Sequence, residues 1–189
     1  MTYAELVAKV ATWMNRDDLT AVIPDFVEMA EERINRFLRV RKMELTLAST
    51  PIVAGQITPA ADVIDAKVLW VPDQEACPLK AQSLESVVAN GVYGTPTMYA
   101  WSGANLQFDG GGSVQGVLYV RVPALATALT NWLSESAPSL YLFGTMVEAK
   151  MFVSDGESAA TWDARFEKLL DELNGNEKRR DGPLVARPR

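Results

Sequence analysis

The hydrophobic period of this chain changes twice along its length, and that change restricts the folds open to it. From Tyr3 to Met14 the apolar residues Leu6, Val7, Val10, Trp13 and Met14 recur at helical spacing, with Glu5, Lys9 and Thr12 off the stripe. A second helix is predicted from Ile23-Pro24-Asp25, with proline in its opening turn and Phe26, Ala30, Ile34, Phe37 and Leu38 sharing a face. From Met43 to Val122 the period becomes two. Met43, Leu45 and Leu47, then Leu79 and Ala81, then Leu106 and Phe108 alternate with polar residues and read as half-buried strands. Ala66–Val71 and Gly116–Val122 are apolar on both faces and read as inner strands. The helical period then returns in Pro138–Val153, apolar over much of its circumference, and in a last helix carrying Trp162, Phe166, Leu169, Leu170 and Leu173 and ending near Gly175.

The expected fold is therefore α+β: a bundle of about four helices, two N-terminal and two C-terminal, with an antiparallel β-rich insertion between them. Residues 1–40 and 138–176 form the bundle, 41–137 the insertion, and 177–189 an extended basic C-terminal arm. Ser83 is a candidate N-cap for a short helix inside the insertion, stopped at Asn90-Gly91. Asp109-Gly110-Gly111-Gly112-Ser113 is expected to be a mobile loop tip, since it lacks the lysine of a phosphate-binding loop. Gly144, inside an apolar helix, predicts the close approach of a neighbouring helix.

A chain of 189 residues, 48% apolar and 22% charged, can bury a core without disulfides or metal. The single cysteine, Cys77, has no partner for an intrachain disulfide, which fits a protein folded in a reducing cytoplasm. No secretion signal is visible at the N-terminus, and the apolar runs are too short to span a membrane. The net charge is −6, unevenly spread. Lys178, Arg179, Arg180, Arg187 and Arg189 against Asp181 give the last twelve residues a local +4 and leave −10 for residues 1–177. An acidic body disfavours general nucleic-acid binding, whose affinity comes mainly from phosphate neutralisation.

The sequence carries little that could support catalytic chemistry. The chain has no histidine, which removes His-based triads, most zinc sites and the usual acid/base catalyst. Pairs such as Asp62 with Asp65 and Asp73 with Glu75 read as solvated loop carboxylates. No catalytic, metal or cofactor site is expected, and no enzymatic activity. Arg33, Arg36, Arg39, Arg41 and Lys42 follow a run of acids in the second helix, an order that complements the helix dipole. A solvated helix face is the plainer reading of this cluster. Contact with a DNA-filled lumen or with a neighbouring subunit is the functional one.

The succession Ile23-Pro24-Asp25-Phe26-Val27 and Ala30–Arg39, then Gly94-Thr95-Pro96-Thr97-Met98-Tyr99-Ala100, Asn131-Trp132-Leu133, Pro138–Gly144, the Trp162 helix and Arg179-Arg180-Asp181-Gly182-Pro183 resembles the head-to-tail adaptors of short-tailed bacteriophages, also called tail tubular protein A. The order and spacing of these segments, over nearly the whole chain, carry the resemblance. It implies a structural protein of the virion's head–tail junction, made in the bacterial cytoplasm. It would assemble as a ring, a dodecamer in the virion from subunits that are monomers when free, beneath the portal protein. The ring would accept the tail nozzle protein and let DNA pass through its lumen without sequence-specific binding. The resemblance also implies a portal-binding arm, here Lys178, Arg179, Arg180, Pro183, Leu184, Val185, Arg187 and Arg189. Asp109–Gly112 and Arg121-Val122-Pro123 depart from the family pattern, both around the insertion. The alternatives are another head-completion or tail structural protein, or a nucleic-acid-binding protein using the basic run and tail.

Overall fold

The computed structural model describes residues 1–16 and 18–181, with side chains as far as Asn176. In chain order the elements are α1 (Tyr3–Met14), α2 (Ile23–Phe37), a 3₁₀ turn at Arg41–Met43, β1 (Glu44–Pro51), β2 (Gln56–Ile57), β3 (Val63–Trp70), β4 (Lys80–Ala81) and α3 (Leu84–Asn90). There follow β5 (Met98–Ser102), β6 (Asn105–Phe108), β7 (Ser113–Val120), α4 (Leu125–Ala128), α5 (Trp132–Ser136), α6 (Pro138–Phe152) and α7 (Gly156–Asp181). The fold is α+β, as expected. Two compact units divide the chain, one of Met1–Lys42 with Val122–Arg189, the other of Met43–Arg121.

In the helical unit α1, α2, α5 and α6 begin where the sequence supplies a start signal. At the head of α1 the Thr2 hydroxyl accepts from the Glu5 backbone N–H, while the Glu5 carboxylate accepts from the Thr2 N–H at 2.9 Å. Asn15 then takes a left-handed conformation, φ 51°, and stops the helix. α6 forms the centre of the unit and packs against α1, α2 and α7. Leu140, Tyr141, Met146, Val147 and Ala149 are buried around its circumference, so its apolar residues do not form a single stripe. At Gly144 a Cβ would lie 3.0 Å from the Phe166 ring and 3.1 Å from the Ala30 Cβ, which is the close helix approach expected there.

α7 runs on to Asp181 and does not stop at Gly175. One glycine costs a helix only about 1 kcal/mol, and the good helix formers Glu177 to Arg180 follow it. The backbone of Lys178, Arg179 and Arg180 is thus helical, which shortens the extended arm expected over 177–189; Pro183, Leu184, Val185, Arg187 and Arg189 lie outside the described residues. Val122–Ala137, expected in the insertion, clusters with the helices. The reason is a buried polar network. The Asn35 side-chain oxygen accepts from the Val122 N–H at 2.8 Å, Glu31 accepts from the Leu125 N–H at 2.7 Å, and the Asn131 amide donates to the Pro123 carbonyl and the Tyr141 hydroxyl, both at 2.7 Å. Burial raises the Glu31 carboxyl pKa and pushes the Tyr141 phenol further above its ordinary value.

The β-rich unit holds two sheets, ordered β1-β7-β3 and β2-β6-β5-β4. β7 is the inner strand of the first, paired antiparallel on both sides. β3, expected inside, is an edge strand, and its apolar residues on both faces are mostly half-buried. β4 pairs parallel with β5, against the antiparallel expectation, because Gln82–Thr97 with α3 is long enough for one crossover. Ile57, Leu69, Tyr99, Leu106, Phe108 and Leu118, from both sheets, meet in one core.

Candidate assembly surfaces

The basic cluster at the end of α2 does not form one patch. Arg33 points to α7, where its guanidinium pairs with Asp163 and, at 3.5 Å, with Glu167, and lies 4.7 Å from the centre of the Phe166 ring. Arg39 folds over the end of its own helix and donates to the carbonyls of Asn35 and Leu38. Its backbone N–H is taken by the Asn174 side chain of α7 at 2.9 Å, and the Asn174 amide donates to the Phe37 carbonyl at 3.1 Å. One asparagine thus caps the end of α2 from α7. Lys42 sits 5.4 Å from the Trp132 ring centre. Arg36 and Arg41 are exposed. Arg33→Ala is expected to cost about 1–2 kcal/mol, through the lost ring contact and an uncompensated, partly buried Asp163; urea unfolding checks it.

Large apolar side chains supply a surface that the helical stripes did not reveal. Trp13, placed on the buried stripe of α1, is 47% exposed, with its ring centre 5.5 Å from that of Trp162, and Phe143 lies 5.6 Å from the same ring. Arg165 stacks over Trp162 at 4.8 Å. Phe152, 58% exposed, packs on Phe26 at 5.3 Å. Tryptophan, phenylalanine and arginine are enriched at protein interfaces and at their binding hot spots, whereas a lone exposed leucine would mean little. The only signal in the sequence was the width of the apolar faces of α1 and α6, greater than one neighbour can cover.

In the β-rich unit a second apolar surface is held in place by a buried acid. Asp109 accepts from the Thr97 N–H at 2.8 Å, the Met98 N–H at 2.9 Å, the Thr97 hydroxyl at 2.7 Å and the Asn90 amide at 3.0 Å. Burial opposes its ionisation, yet these bonds together outweigh burial and hold the carboxyl below its ordinary range. The Asp109 carbonyl accepts from Tyr93, and Gly111 donates to the Gly94 carbonyl. A Cβ at Gly110 would lie 2.4 Å from the Pro96 nitrogen. The glycine-rich stretch, expected to be a mobile tip, is therefore a packed clasp joining α3, the Gly94–Thr97 loop and β5. Gly110 gives room for that close backbone approach. Beside it Val88, Val92 and Tyr93 are exposed, Tyr93 by 84%.

Among the described residues no group of acidic or cysteine side chains could hold a metal ion, and no helix is long and apolar enough to cross a membrane. No curated protein matches the chain. The family model of the SU10 adaptor protein matches residues 1–187. The chain belongs to the SU10 adaptor family, a family of phage head-to-tail adaptors with a structural role in the virion.

Proposed function

We propose that this adaptor docks beneath the portal ring as one subunit of a ring, accepts the tail nozzle protein from below, and lets DNA pass through its lumen. The observation that carries the reading is the family match over 1–187, together with the aromatic surface made by exposed Trp13, half-buried Phe143 and Trp162, and exposed Arg165. A rigid aromatic and arginine surface gives binding energy at low cost in side-chain entropy. The last twelve residues supply the portal-binding arm: Lys178, Arg179 and Arg180 at the end of α7, then Pro183, Leu184, Val185, Arg187 and Arg189. Repeated around a ring, weak arms add through effective concentration. Val88, Val92 and Tyr93 of the β-rich unit are the candidate attachment surface for the nozzle. Arg36, Arg41 and Lys42 are the exposed members of the basic cluster, for the lumen or a neighbouring subunit. An acidic body fits a channel through which DNA slides without being gripped.

The test mixes the phage's own portal with full-length protein and with a version ending at Asn176, and weighs both mixtures by light scattering. Several full-length copies per portal ring, with the shortened version at least tenfold weaker, is the expected result. Equal binding would remove the arm from the contact, and no binding by either version would end the portal reading.

A further inference from the structure

Between α2 and α7 lies an open groove of about 300 Å³, lined by Arg33, Phe37, Phe166, Glu167, Leu170 and Asp171. Its floor is apolar, with Phe166 and Leu170 buried beneath and Phe37 53% exposed at one wall. Its rim is acidic: Glu167 and Asp171 are exposed, and Arg33, the one cation among the described lining residues, is already turned to Asp163 and Glu167 and lies on the Phe166 ring. Such a groove suits a peptide that carries an aliphatic residue next to an arginine.

We propose that it receives the C-terminal segment of its own chain, Gly182–Arg189. That segment reads Gly-Pro-Leu-Val-Ala-Arg-Pro-Arg, aliphatic and then basic, the complement of the groove in charge and in polarity. The lengths agree as well. Gly182 and Pro183 follow the last helical residue, Asp181, and proline cannot continue a helix, so the chain can turn back there. An extended chain advances about 3.4 Å per residue and a helix about 1.5 Å, so, counted from the turn at Pro183, Val185 returns roughly to the level of Asn176, Arg187 to that of Asp171 and Arg189 to that of Glu167. Val185 then covers the exposed edge of Phe37, Arg187 meets Asp171 and Arg189 meets Glu167. A segment seated in its own groove needs no second molecule, which favours it over the same segment of a neighbour at any ordinary concentration. The proposal rests on the groove and the segment alone and stands or falls apart from the portal reading. If both hold, the portal must draw the arm out of the groove.

Pulsed electron spin resonance on the full-length chain tests it. With Cys77→Ser in the background, nitroxide labels go on Ala160→Cys, exposed on the same face of α7 as Glu167 and Asp171, and on Ala186→Cys. A seated segment brings the labels within about 25 Å; a segment running on beyond α7 leaves them up to about 45 Å apart. The expected result is a main population at the short distance. It should be unchanged by excess unlabelled protein and should fall severalfold in Asp171→Lys, which leaves the Arg33 pairs intact; far-ultraviolet dichroism confirms that this variant is folded. A broad distribution centred at the long distance overturns the proposal, and so does a short distance indifferent to Asp171→Lys. A short distance lost on dilution with unlabelled protein overturns it too, by placing the segment on a second copy.

Discussion

Asp109→Ala is expected to destabilise the β-rich unit by about 3–5 kcal/mol, since hydrogen bonds to a charged group are worth about 1.5–3 kcal/mol each and do not add fully. The substitution leaves the Thr97 and Met98 N–H groups facing a void where a carboxylate accepted both, and frees Thr97 and Asn90 as well. Asp109→Asn keeps one acceptor oxygen but aims an N–H₂ at existing donors, so it should recover only part of the loss. Urea unfolding followed by hydrogen exchange of Thr97 and Met98 measures both. The acid dependence has a definite sign. The folded carboxyl titrates below its unfolded value, so its contribution is fully present above the unfolded pKa of about 3.9 and is lost as the pH falls through the lower folded value. In Asp109→Asn that acid-side loss should vanish.

The second large effect is expected at Gly144. Gly144→Leu should cost about 3 kcal/mol or more, the upper range for overpacking a closed core, because the new side chain would enter space held by Phe166 and Ala30 and drive α6 away from α2 and α7. Gly144→Ala is the informative control. Its single methyl needs its neighbours to yield by only a few tenths of an ångström, while it gains about 1 kcal/mol of helix propensity, so the net change should stay within about 1 kcal/mol of zero. Thermal unfolding of the two variants separates steric exclusion from helix propensity. A mild Gly144→Leu would mean that the helices are not closely packed there.

Those two positions also show how far the sequence could be read. Gly144 was legible because a glycine inside an apolar helix weakens it unless a neighbouring helix needs the room. The start of α1, the Pro24 turn of α2 and the Ser83 cap of α3 were legible for the same kind of reason, each being a local signal with a local cause. The Asp109 clasp was not. A carboxylate before three glycines looks like a solvated tip unless its partners are known, and Asn90, Thr97 and Met98 come from other elements. The parallel pairing of β4 with β5 depended likewise on how a short helix lay across the strands. The exposure of Trp13 and Phe152 escaped notice because periodicity says which face of a helix is apolar, not whether a neighbour covers all of it. Arg33 and Arg39 read as a solvated face, but Arg33 turns to Asp163 and Glu167 of α7, residues more than a hundred positions away, and Arg39 folds over the carbonyls at the end of its own helix.

The proposed role, joining portal to tail, imposes an order of assembly. Portal and nozzle protein from the same phage are sedimented together with and without this protein. The nozzle is expected to travel with the portal only when this protein is present, in a complex holding all three. Sedimentation of nozzle with portal in its absence, or of the two without it in its presence, would contradict the adaptor role.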